Sequence, residues 1–429
     1  MNDRSAPADQ GAGAGPSIAA CAKAGLILLT LALFASEHLV HYAMGALAIG
    51  GVVEVLRHPR ACRTWAAASL AGLFLLIWLP MLVAYPGAVA PQHSANIILP
   101  YLHFLPAAYF VMRAAAESDV RRLVTTGAAL LIGFAAFDAF VQLIWQVDLF
   151  GYPNQHGRLM GVFYPKQRLG LLLAVFAPLY VDVVLRWCRA YPQLWLCLIP
   201  FVIVVVMSLK RTAWLMLVLG LLVYFVLRLR HGGRARAWLG RFALITLLAG
   251  VTIAMNPTLQ ARLAATSGLF SPDAAAVDVA TAYRVTLWRT GLTIFREHWL
   301  TGIGPRGFRH AYKQYAPAGD FWVARTGSGQ THPHLVLLEV AVETGVIGLV
   351  AFALFYAALL RLLLRPPCAD DVPVWLLCAT IAAFPLNAHM AFYGAYWSTL
   401  VWLLLGLGLA EVSAGAIPAP AAVRASTTV

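Results

Sequence analysis

Apolar runs of about twenty residues recur along almost the whole chain, and no other feature restricts the fold as much. A helix needs roughly 20 mostly apolar residues to cross the hydrocarbon core of a bilayer. Lipid offers backbone N–H and C=O groups no partner, so such runs are read as helices that satisfy their own hydrogen bonds. Candidate spans lie near 18–36, 39–56, 65–84, 97–115, 122–147, 168–187, 193–209, 212–230, 238–255, 335–364, 373–390 and 395–411, twelve in all. Composition agrees, because 61% hydrophobic and 11% charged residues leave too little charge for a water-facing surface. A soluble enzyme, a disulfide scaffold, a disordered chain and a nucleic-acid binder are excluded. The expected fold is therefore all-α, a polytopic membrane protein of about 12 transmembrane helices.

Orientation follows from Lys and Arg in alternate loops. Seventeen basic residues, among them Arg57, Arg113, Arg186, Arg228 and Arg361, fall on one side, which is read as cytoplasmic. The short opposite loops 36–38, 85–95 and 390–395 hold none, and both termini are expected in the cytoplasm. The expected layout is a disordered N-terminus 1–17, helices 1–9 over 18–255, a large outer loop 256–333, helices 10–12 over 334–411, and a tail 412–429. The outer side has no cysteine, so neither a structural disulfide nor a cysteine metal site is expected.

Thirteen basic residues nevertheless fall on the outer side. Eight lie in the long loop, which translocates regardless of charge. Arg158, Lys166, Arg168, Lys210 and Arg211 lie in short segments, where the rule should apply. Lys166 and Arg168 are expected to open a helix after Pro165, Lys210 and Arg211 a second, and His332 and His334 a third, with Thr331 as its cap. A cation at a helix N-terminus opposes the macrodipole by up to ~1 kcal/mol. An anion bound there reverses the sign, since free N–H groups and basic side chains then act together. Arginine predominates, which suits bidentate phosphate contact. In the long loop, Val285, Trp288, Leu292, Phe295 and Trp299 recur at helical spacing, so 284–299 is expected to be an amphipathic helix lying along the interface. Arg284 stands at its N-terminal edge, and Arg306 follows the turn Gly302-Ile303-Gly304-Pro305. Glu339 and Glu343 are read as buried, hydrogen-bonded carboxylates. Glu54, Asp138 and Asp182 lie within spans and are read as structural. Asn387 and His389 face outward and could touch a substrate.

His334, with Gly345 eleven residues on and then Gly348, resembles the His-[Asn/Ser/Gln]-x9-Gly-x-x-Gly signature of the O-antigen ligases, within the O-antigen ligase/polymerase membrane family. Leu335 departs from it, standing where Asn, Ser or Gln is expected, and the choice between His332 and His334 stays open on that account. Three more segments are similar to family blocks: Gly157–Phe163, Ser208–Trp214, and Arg284–Trp288 leading to Gly302–Pro305.

The resemblance implies a GT-C-like glycosyltransferase at the periplasmic face of a bacterial inner membrane. It would be inverting and metal-independent, with no cofactor. Its donor would be a glycan on undecaprenyl diphosphate and its acceptor lipid A–core. Expected catalytic residues are His334 as general base and Arg211 and Arg284 on the diphosphate; His332, Lys210, Lys166, Arg158, Arg306 and His389 are expected to bind substrate. Alternatives are an O-antigen polymerase, a protein O-oligosaccharyltransferase and, in another class, a flippase for lipid-linked sugars. Expected partners are the lipid-linked glycan, the acceptor and membrane lipids, with no nucleic acid.

Overall fold

The computed structural model describes residues 15–155, 157–230, 235–268, 271–365, 372–388 and 390–415. Among them no β-strand forms, and the chain runs through eighteen helices. The first nine are α1 (Ile18–Ala32), α2 (Leu39–Arg57), α3 (Trp65–Ala84), α4 (Pro91–Tyr101), α5 (Phe104–Ala116), α6 (Ser118–Trp145), α7 (Leu169–Trp187), α8 (Leu198–Met207) and α9 (Arg211–Arg230). Then come α10 (Ala235–Ala254), α11 (Pro257–Ser267), α12 (Ala274–Ala280), α13 (Arg284–Glu297), α14 (Phe308–Tyr315), α15 (Phe321–Thr326), α16 (Val336–Leu363), α17 (Val374–Ala382) and α18 (Ala395–Gly415).

Nine apolar segments among the described residues are long enough to cross a membrane. At the other three expected spans the apolar stretch among the described residues is shorter, although α10 itself runs for twenty residues. Apolar chain at α8 extends only over Pro192–Met207, with Pro192 and Pro200 inside the stretch, and at α10 only over Ala243–Ala254. The last, α17, stops after nine residues, because Pro385 cannot continue a helix. The bundle core is aromatic and aliphatic, with Trp375, Trp397, Trp402, Tyr224, Phe104 and Phe355 fully buried. Around it, Val52, Leu79, Phe137, Val350 and Leu354 face outward, where a soluble protein would carry charge. Helices α7 and α18 are buried nearly all round and form the centre of the bundle.

Residues 256–333 fold into α11–α15 and carry a small core of their own. Leu287, Ile294, Ile303, Phe308 and Tyr312 pack there with Leu338 and Val342 of α16. A seam of backbone fixes this cap to the bundle. Gly345 interrupts α16 with φ 65°, ψ −163°, a conformation open essentially to glycine alone. The break frees the N–H groups of Val346 and Ile347, which donate to the carbonyls of Trp299 (2.8 Å) and Leu300 (3.4 Å). Ile303 and Gly304 donate in return to Val342 and Glu343, each at 3.0 Å. A Cβ on Gly345 would stand 2.2 Å from the Leu300 carbonyl oxygen, and one on Gly302 2.5 Å from the Glu343 backbone. The glycines of both motifs thus serve one contact, in which two backbones approach too closely for any side chain.

The amphipathic helix forms, over Arg284–Glu297, but a neighbouring stripe is the buried one. Leu287, Thr290, Gly291 and Ile294 face α16, while Leu292 and Trp299 are exposed. Gly291 selects this face, since a Cβ there would touch Leu338 at 3.0 Å.

Candidate active site

Four of the expected residues converge at one end of the bundle. Helix α8 ends at Met207, Leu209 takes a left-handed turn (φ 56°), and α9 begins at Arg211. This hairpin projects Lys210 and Arg211 from the N-terminal end of α9. Arg211 Nη1 donates to the Ala280 carbonyl at 2.7 Å. Lys210 Nζ donates to Gln167 Oε1 at 2.7 Å, and Arg158 Nη1 donates to the same oxygen at 3.3 Å. Gln167 therefore ties Lys210 to Arg158.

Arg284 enters from the cap. Two consecutive left-handed residues, Ala282 and Tyr283 (φ 58° and 59°), turn the chain into α13. The Tyr283 ring stacks on Phe321 at 3.7 Å, its carbonyl accepts from Trp322 Nε1 at 2.9 Å, and Asp278 caps the helix by accepting from the Thr286 N–H at 3.1 Å. Arg284 itself makes no hydrogen bond or ion pair among the described residues. Burial and the neighbouring Arg211 charge hold its pKa below the usual arginine value.

The histidines sit in a loop, not in the first turn of a helix. Helix α16 starts at Val336, and its first N–H groups, on Val336 and Leu337, already donate to the Asn387 and Pro385 carbonyls at 3.1 Å. Two of the N–H groups at that helix end are thus taken up within the fold. Thr331 does not cap it either, since its hydroxyl meets His332 Nδ1 at 3.0 Å. Trp288 Nε1 donates to the Pro333 carbonyl at 3.1 Å and pins the loop against α13. His334 adopts φ 52°, and its ring lies 4.0 Å from that of His332. Burial, reinforced by Arg284 and Lys210, lowers the His334 pKa to about 4, while a hydrogen bond to the Ala388 backbone pulls the other way. The imidazole is thus neutral above that pH and faces a cationic rim.

The other expected residues stand elsewhere. Helix α7 begins only at Leu169, with Arg168 at its N-cap, so Pro165 precedes the helix. Arg168 pairs with Glu37 at 2.7 Å and lies 3.9 Å above the Tyr396 ring, which gives it an internal anion. Lys166 is exposed and feels the same Glu37. Arg306 belongs to a different group, beside Glu339, Glu343 and Arg309. His389 lies outside the described residues. Asn387 is buried and its carbonyl serves Val336. The acids within spans are structural, as expected: Glu54 faces Arg113 at 3.5 Å, Asp138 accepts from Leu149 N–H at 2.9 Å, and Asp182 binds Arg228 and Arg186.

A family model described as O-antigen ligase matches residues 195–353, a stretch that holds Lys210, Arg211, Arg284, Arg306, His332 and His334. No curated protein matches the chain. The nine apolar helices among the described residues are those of a multi-pass membrane protein. Over residues 195–353 the chain is thus similar to the O-antigen ligase family, a match that supports a membrane enzyme of the ligase/polymerase type.

Proposed function

We propose that the protein transfers an O-antigen glycan from undecaprenyl diphosphate to lipid A–core at the periplasmic face of the inner membrane. In this reading the chain crosses the membrane twelve times in a GT-C-like arrangement, with both termini cytoplasmic and 256–333 outside. The observation that carries the proposal is the gathering of buried His334 with Arg284, Arg211 and Lys210, where Arg284 has no hydrogen bond or ion pair among the described residues.

The chemistry follows from that geometry. The acceptor hydroxyl attacks the anomeric carbon from the face opposite the diphosphate, and the C–O bond to phosphorus's oxygen breaks with inversion. The hydroxyl proton goes to His334, and the electron pair leaves on the diphosphate. Oxocarbenium character develops at the sugar, and the growing phosphate charge falls on Arg284, Arg211 and Lys210. Bound diphosphate also offsets the cations that depress the His334 pKa, so donor binding strengthens the base. His332 orients His334 or the acceptor. A divalent metal has no part in these steps, since guanidinium and ammonium groups supply the charge.

Ligation in vesicles with labelled donor, rough lipopolysaccharide and EDTA tests this. Label should reach lipid A–core with EDTA present, and His334→Ala should fall by about 10²–10⁴-fold, with a smaller loss for His332→Ala. Chain growth on undecaprenyl diphosphate instead would make the enzyme a polymerase. Loss of activity in EDTA would refute the metal-free mechanism.

A further inference from the structure

We infer that a second anion site, built from His93, Arg306, Arg309 and His310, holds a phosphate group of the acceptor glycolipid. The inference rests on the reading of the protein as a ligase and adds the acceptor side of its active site.

Three pieces of chain assemble this group. Ser94 Oγ donates to the Pro305 carbonyl at 3.1 Å and Val89 N–H to the Ile303 carbonyl at 3.0 Å, which docks the start of α4 on the 302–306 turn. Arg309 and His310 follow in the first turn of α14. The His93 and His310 rings lie 4.9 Å apart, and His93 is within electrostatic reach of Arg306, Arg309 and His310. Positive groups are thus gathered at the starts of two helices, where the helix dipoles add to their charge rather than answer it.

Two carboxylates lie behind them and offset part of this charge, each also accepting from backbone, with Glu343 Oε1 left without a hydrogen-bond partner. Glu339 accepts from the N–H groups of Phe392 (3.0 Å) and Tyr393 (3.2 Å), and Glu343 from that of Arg306 (2.6 Å). Arg306 Nη1 forms an ion pair with Glu339 at 3.9 Å, too long for a hydrogen bond, and has no hydrogen-bond partner although the residue is only 8% exposed. Arg309 Nε and His93 Nε2 likewise have none. Native folds leave few buried polar atoms unmatched, and here three nitrogens of one cluster are. His310 is exposed and Arg309 half-buried, so the group opens to the surface. Two guanidinium groups and two imidazoles offer more donors than one carboxylate can use; a phosphate, with more oxygens and up to two charges, fits them better.

The location suits an acceptor. Glu339 lies one turn along α16 from Leu335, about 6 Å of axial rise, so this site and the His334 site share one helix end. The donor cations stand on the α8–α9 hairpin and α13, whereas this group stands on α4 and α14. An acceptor held here by its phosphate would present a hydroxyl toward His334.

The test uses full-length protein in nanodiscs of zwitterionic lipid, with the variants Arg309→Gln and His310→Gln. Acceptor binding is measured without donor, and KM for each substrate by ligation. Arg309→Gln should weaken binding of phosphorylated acceptor and raise its KM about tenfold, leaving donor KM unchanged, with a smaller effect for His310→Gln. Phosphatase-treated acceptor should cost the wild type the same factor and the variants nothing further. Equal losses on both acceptors, or a change in donor KM, would overturn the inference. So would a defect that follows added anionic phospholipid rather than acceptor phosphate, which would mark a lipid-headgroup site. If the wild type binds acceptor with the expected phosphate dependence yet transfers no label, the ligase reading fails and the anion site stands.

Discussion

The two ends of the bundle treat arginine in opposite ways. At the end away from the His334 site, Arg228 sits in the last turn of α9, where the helix dipole favours a cation. It binds the buried Asp182 and is hydrogen-bonded to Tyr224 at 3.3 Å, while Arg186 closes on the same carboxylate at 2.7 Å. At the other end, Arg211 and Arg284 stand first in their helices, against the dipole, and each is the other's electrostatic neighbour. Arg228 and Arg186 have their anion within the protein, whereas Arg284 has no anion of its own among the described residues, and a cation so placed points to a ligand's place.

Exchanging the roles experimentally should separate the two ends. Arg284→Ala should cut ligation by about 10²–10³-fold while the melting temperature holds or rises, since an unpartnered charge is removed. Arg284→Lys should recover little, because an ammonium lacks the bidentate fork. Arg228→Ala should do the reverse, losing about 3 kcal/mol of stability because the buried Asp182 then keeps only Arg186 and the Tyr224 hydroxyl. If Arg284→Ala instead unfolds the protein, the contrast between the ends fails.

Gly345→Ala probes the seam that carries the site. Its left-handed conformation and the 2.2 Å approach to Leu300 should cost at least about 2 kcal/mol, read as a lowered melting temperature with activity lost in proportion. The smallest effect is on pH dependence. With the His334 pKa lowered to about 4, the acidic limb of kcat/KM, which reports free enzyme, should fall near that pH. Lys210→Gln removes one of the depressing charges and should move the limb upward. The limb of kcat, measured with the diphosphate bound, should lie above both. A limb unmoved by Lys210→Gln would show that Lys210 and His334 are not neighbours in the working enzyme.

Much of the site was legible because it violates a pattern. Lys210 and Arg211 stood out as cations on the wrong side of the membrane in a short segment, and they do open α9. Arg284 stood out as a cation at the wrong end of a helix. The reading failed where tertiary partners intervene: Arg168 looked like Arg211 in sequence, yet Glu37, 131 residues away, neutralises it. The first turn expected at His332 and His334 is a loop, and the first two N–H groups of the helix that follows bond to the 385–387 segment. Gln167 gave no signal at all, being a neutral residue between two cations whose role appears only when α9 folds against it. His93 and His310 meet across more than two hundred residues, and no spacing rule reaches that far.

The join at Gly345 has a mechanical result. Because the cap is riveted to an interrupted membrane helix about three turns from His334, it cannot hinge upward at that point without tearing hydrogen bonds out of α16.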